Sequence, residues 1–119
     1  MSLIQAAIAE TPPQPKPAFY ILSLVHTGKN DRFLTLWGPN NRGYSTTKEW
    51  AGTYETPKPG YHDNADNMPI PASTLDPLFI PLPYDHERTM HMIPNCRAIW
   101  QHLGVTPRKD NLKRVIKKA

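Results

Sequence analysis

Fourteen prolines in 119 residues constrain this chain more than any other feature. Each removes a backbone donor and fixes φ, which bars it from helix interiors and from central strands. Between Pro57 and Pro94 they recur too often for a long regular helix. Regular structure must be short there, and the core must begin elsewhere.

It begins in residues 18–54, the segment densest in apolar and aromatic residues. Residues 19–25 form an apolar run broken only by Ser23, of strand length and too short for a typical helix. Gly28, Asn30 and Asp31 then supply turn chemistry. A second run, residues 33–37, follows, so the pair reads as an antiparallel hairpin. Both strands are apolar on both faces, which places them in the middle of a sheet. Pro39 ends the second strand near Gly38. Residues 44–50 are a candidate third strand, with a short helical turn over 48–51 as the alternative. Gly52 permits a close approach by backbone or by a large ring, Trp50 or Tyr54.

Size allows one small domain. The single cysteine, Cys96, excludes an intramolecular disulfide and fits a reducing compartment. No run approaches the ~18 apolar residues of a membrane span, and the first ten residues lack the pattern of a secretory signal. The expected location is cytoplasmic, in a cell or in an infected cell. The net charge of +4 is unevenly distributed. Residues 106–119 hold six basic residues, Arg108, Lys109, Lys113, Arg114, Lys117 and Lys118, against Asp110 alone. That segment carries +5, and the rest, with eight basic and nine acidic residues, carries −1.

Three parts are expected: a proline-rich arm over 1–17, one α+β domain over 18–105, and a basic tail over 106–119. Residues 2–9 can form two helical turns, followed by a polyproline II spacer. Residues 55–71 read as a long irregular loop, ending in a short edge strand over 68–70. Ser73 and Asp76 suggest an N-cap and its N3 acid, with Pro77 limiting the helix to a turn. Residues 78–80 should pack on the core and be closed by Pro81 and Pro83. A last strand over 90–93 precedes a helix over 96–103, capped by Asn95 and ended by Gly104. Ile99, Leu103, Cys96 and Trp100 should form its buried face. Leu112, Val115 and Ile116 suggest a further basic helix over 110–118.

Catalytic and cofactor motifs are weak. There is no paired-cysteine zinc pattern and no H-E-x-x-H; His62 with Asp63 and Asp66 could gather metal ligands, but a solvated polar loop is the favoured reading of them. Ser45, Ser73 and Cys96 lack a nucleophile-elbow context, and Cys96 also suits a small buried helix residue. Residues 38–43 form a glycine-flanked loop with Arg42, which a plain turn accounts for. No catalytic residue, cofactor, metal or membrane partner is implied. The basic segment can meet nucleic-acid phosphates, an acidic protein surface, or solvent alone. It contains no aromatic residue, so it offers no base stacking by itself. Trp37, Tyr44, Trp50, Tyr54 and Tyr61 are close in sequence, and any two or three exposed together would make a protein-binding hot spot.

Several short motifs lie between residues 19 and 95: Phe19 to Leu24, His26-Thr27, Arg32-Phe33, Thr35 to Trp37, Pro39-Asn40, Gly43-Tyr44, Trp50 to Tyr54, Gly60-Tyr61, Asn67, Pro69, Pro71 and Ile93 to Asn95. Together they resemble small accessory proteins of temperate phages and prophages of proteobacteria. The resemblance brings no activity and no catalytic residue with it, and excludes the arm and the basic segment. It implies a non-enzymatic protein that binds a host protein or protein–nucleic acid complex and blocks host defence, of anti-CRISPR or anti-restriction type. The alternative is a nucleic-acid-binding accessory protein. The expected contact residues are Arg108, Lys109, Lys113, Arg114, Lys117, Lys118, Arg42, Tyr44 and Tyr61.

Overall fold

The computed structural model describes residues 17–115. The expected helical turns at 2–9, nearly all of the polyproline spacer, and Lys117 and Lys118 lie outside them. The protein is α+β, with antiparallel sheets and short helices.

A four-stranded sheet has the order β3-β2-β1-β4. Its strands are β1 (Phe19–Ser23), β2 (Leu36–Trp37), β3 (Tyr44–Ser45) and β4 (Asn67–Pro71). The two apolar runs take the central places, as expected. Leu22 pairs with Leu36, and Tyr20 with Ile70. The third strand stops at Ser45, because Thr47 and Lys48 turn away to meet a separate hairpin. A one-turn helix, α1 (Ala72–Leu75), continues into a 3₁₀ turn over Asp76–Leu78. Ser73 does not cap it, since the N-cap is Pro71.

Two further hairpins complete the chain. Residues 80–83, read from sequence as a closing segment, form β5 (Ile80–Pro83) against β6 (Thr89–Met92). After α2 (Arg97–Leu103), β7 (Val105–Arg108) pairs with β8 (Asn111–Arg114). The helix expected over 110–118 is therefore a strand as far as Arg114, and the boundary expected between residues 105 and 106 falls inside β7. The cause is burial. Pairing with period two puts Val105 and Leu112 on one face, where both are buried in the main core. The Leu112 N–H also reaches the Leu24 carbonyl at 3.3 Å. The N-cap of α2 is Cys96 and makes no capping bond, whereas Asn95 ties Gly28 and Asp31 through its amide. Gly104, at φ 77°, ends α2 as expected.

Proline placement follows one rule. Pro69 and Pro71 face Ile21 and Phe19 in β4, Pro81 and Pro83 alternate in β5, and Pro107 faces Leu112 in β7. A residue without an N–H cannot form a doubly bonded ladder pair, so these are the non-hydrogen-bonded positions. The partners' backbones are then free to bond elsewhere. Phe19 exchanges two bonds with Tyr54, and His91 receives the Lys48 N–H while donating its own to Glu49.

The main sheet is apolar on both faces. Tyr20, Leu22, Leu24, Leu34, Leu36 and Ile70 join Leu75, Ile93, Leu103, Val105 and Leu112 in an aliphatic core. Tyr20 donates its hydroxyl to Asp76 Oδ1 at 2.7 Å; burial, then that carboxylate, pushes its pKa far up. On the opposite face lie Ile21 and Trp37, both buried. Tyr54, Tyr61 and His62 pack over that second face.

Candidate functional site

Trp37 organises the second face. Its indole Nε1 donates to Asn67 Oδ1 at 2.9 Å, reaching from β2 to the start of β4. Four rings surround it edge-on, with centroids at 5.2 Å (His62), 5.5 Å (Tyr61), 6.2 Å (Tyr44) and 6.5 Å (Tyr54). Edge-to-face packing suits the ring quadrupoles and holds each plane in a defined orientation.

Polar bonds lock the layer. Tyr54 donates its hydroxyl to the Gly38 carbonyl and accepts the Asn41 N–H at 3.0 Å. The Lys58 N–H donates to His62 Nδ1 at 2.8 Å, so Nδ1 carries no proton. His62 Nε2 then carries it and donates to Asn41 Oδ1, 2.7 Å away. Burial, with a smaller push from the Lys58 charge, holds the His62 pKa below its ordinary value. His62 is a neutral, buried strut between two loops, and the solvated-loop reading of it is corrected. Among the described residues no three histidine, cysteine or carboxylate side chains gather where they could hold a metal.

The outer rings are open. Tyr44 is 52% and Tyr61 48% exposed, and the exposed His26 ring packs tilted against Tyr44, with centroids 4.3 Å apart. Arg42 is exposed in the loop whose Asn41 holds His62. Trp50 and Tyr84 form a second exposed pair, 5.6 Å apart, with Arg88 over Tyr84. Gly52 does admit a close approach, by the backbone of Gly38 and Pro39.

The basic residues divide by role. Arg114 is half-buried, and its Nη2 donates to Asp63 Oδ1 at 2.7 Å and to the Asn67 carbonyl at 2.6 Å. It joins the hairpin to the aromatic layer, since Asn67 also holds Trp37. Arg108, Lys109 and Lys113 are exposed and form no ion pair among the described residues. Arg108 and Lys113 share the outward face of the hairpin, and Lys109 occupies its turn at φ 53°. Arg108, Lys113 and Arg114 also line a cleft with Asn64 and Ala65.

Other candidates are separate. Cys96 is exposed, which corrects the buried helix-face reading. Ser45 Oγ is held by Thr47. Glu49 binds His91, with Oε1 to Nδ1 at 2.6 Å. Partial desolvation opposes ionisation of Glu49, but the bonds from His91 outweigh it and keep the carboxyl below its ordinary pKa. The roles of Asn41 and Asn67 are missed by sequence reading, because asparagine in a loop signals only a turn. The chain matches no family model, no curated protein and no solved structure.

Proposed function

We propose that this chain is a non-enzymatic binding protein that occludes a surface of a macromolecular partner. The observation that carries this is the half-exposure of Tyr44 and Tyr61, both packed edge-on against the buried Trp37. Rigid tyrosines offer large amphipathic contact area with few rotamers left to freeze. Hot spots are rich in such residues. The phage-like sequence pattern gives the reading its concrete form, a mobile-element protein that blocks a host defence complex. The test is affinity capture from a bacterial host lysate after nuclease treatment, comparing the wild type with a Tyr44→Ala/Tyr61→Ala variant. A defined complex that survives nuclease and is lost with the variant is expected. Turnover of a substrate that is abolished by substituting Cys96 or His62 would overturn the reading.

A second reading rests on a separate observation, three cations on one hairpin, Arg108, Lys109 and Lys113, that form no ion pair among the described residues. They suit nucleic-acid phosphates. Replacing all three with glutamine would remove binding, and wild-type affinity would fall steeply with salt. A flat salt response would count against it.

A further inference from the structure

The basic segment has no aromatic residue of its own, yet the fold brings one to it. Arg114 on β8 is clasped by Asp63 and by the Asn67 carbonyl. Asn64, next in the chain, lines the cleft with Arg108, Lys113 and Arg114 and donates its amide to the Gly60 and Tyr61 carbonyls. Tyr61, whose half-exposed ring is fixed against Trp37 and His62, is therefore tied through its carbonyl to the cleft-lining Asn64, three residues along the chain.

The cleft itself is cationic. Its lining is three basic residues with Asn64 and Ala65, and contains no carboxylate. Asp63 pairs with Arg114, so the cleft's net positive charge comes from Arg108 and Lys113, which form no ion pair among the described residues. An adjoining depression shares Ala65, Arg108 and Lys113 with the cleft and adds Lys109, Asp66 and Asp110. Arg108 and Lys113 are diagonal neighbours across the hairpin, roughly 7–8 Å apart at the backbone. Arg114 Nε is the one buried side-chain donor among the described residues without an acceptor. Such a group calls for an acceptor atom close by.

We propose that the cleft of Arg108, Lys113 and Arg114 together with the Tyr61 ring binds single-stranded nucleic acid, phosphate in the cleft and base on the ring. This rests on the second reading above and narrows it to one strand state. A fixed ring beside a cationic track is the arrangement that holds single strands, because stacking accepts any base. Paired bases keep their faces within the duplex and cannot use the ring. Double-stranded ligands would gain only the phosphate contacts.

The test is fluorescence anisotropy with the full chain and labelled strands of one sequence, as single-stranded DNA, single-stranded RNA and duplex DNA, over a salt series. Single strands bind at least about tenfold more tightly than duplex, the worth of one stacked base. An Arg108→Gln/Lys113→Gln variant binds about tenfold more weakly, and its salt slope is smaller by about 1.4, two phosphate contacts at roughly 0.7 each. Tyr61→Leu loses about tenfold with the slope unchanged, and Tyr61→Phe keeps wild-type affinity. Thermal melts check that each variant is folded. Photocrosslinking of a bromouridine-containing strand to the wild type maps to Tyr61. Equal affinity for duplex, an unaffected Tyr61→Leu variant, or no crosslink at Tyr61 overturns the proposal while leaving phosphate binding by the hairpin standing. No binding to any of the three nucleic acids overturns both and leaves a protein surface as the partner.

Discussion

The Lys58 N–H points at His62 Nδ1, 2.8 Å from nitrogen to nitrogen, and this bond fixes the tautomer of an imidazole that burial keeps neutral. A proton added at Nδ1 would meet that N–H head-on. The cost falls on the native state alone, because the unfolded chain leaves the ring in water.

A pH dependence follows from this. The His62 pKa is held below its ordinary value of about 6.5 when folded. Above that value neither state binds the proton and the full stability is present. As pH falls below it the unfolded state binds more protons, so stability is lost progressively down through the lower native pKa. The thermal midpoint of the wild type should therefore decline from about pH 6.5 downward. In His62→Asn, whose Oδ1 can accept the Lys58 N–H without titrating, the decline in that window should be shallower. Identical slopes would refute the assignment.

Glu49 acts in a lower window. Its folded pKa lies below the ordinary one, so its contribution is present above the unfolded value and lost as pH falls through the folded value. At neutral pH Glu49→Gln should speed amide exchange in β5 and β6, which this carboxylate helps fasten to residues 47–48. Below about pH 4.3 the difference between the two proteins should shrink. A difference that persists undiminished in acid would exclude the carboxylate as its cause.

Two glycines should respond differently to alanine. A Cβ at Gly52 would stand 2.5 Å from Pro39 Cα and 2.7 Å from the Gly38 carbonyl oxygen, atoms that cannot swing aside. Gly52→Ala should destabilise by about 2–3 kcal/mol as overpacking. At Gly43 the space is open, and only the positive φ of 72° opposes a side chain, so Gly43→Ala should cost about 1 kcal/mol. Urea midpoints give the comparison, and equal losses would contradict it.

Leu112 tests whether the basic segment belongs to the domain. It is 3% exposed and packs in the main core. Leu112→Ala should cost about 2–5 kcal/mol. Lys113→Ala, on the exposed face of the same strand, should stay within about 0.5 kcal/mol of wild type. A chain ending at residue 104 should be far less stable, since Val105 and Leu112 leave together. Wild-type stability in Leu112→Ala would mean that the hairpin is an appendage.

Sequence reading was most informative where local pattern decides structure. The 19–25 and 33–37 runs declared both the central hairpin and its two apolar faces. Gly104 declared the end of α2. It was least informative where long-range burial decides. Leu112, Val115 and Ile116 fit a helical stripe, but a short basic helix would be marginal alone, and the hairpin buries Val105 with Leu112 instead. His62 sits in a segment that looks solvated, and only its packing beside Trp37 makes it a strut. One signal was available for it. A central hairpin apolar on both sides needs a second cover, and residues 54–62 carry two tyrosines and a histidine to supply one. Arg114 could not be separated from Arg108 and Lys113 by composition, because its role depends on Asp63, 51 positions away.

The alternating prolines have a consequence for how this protein meets other chains. The outward side of β4 offers no row of amide protons: Pro69 and Pro71 have none, the Asn67 N–H is held by Asn64, and its carbonyl is held by Arg114. Pro81 and Pro83 blunt the margin of β5 in the same way. A foreign extended segment finds nothing there to zip against, so strand-by-strand polymerisation from these margins is blocked in the covalent structure itself. Any recognition at β4 or β5 must proceed through side chains, which makes it a matter of residue identity rather than of generic backbone pairing.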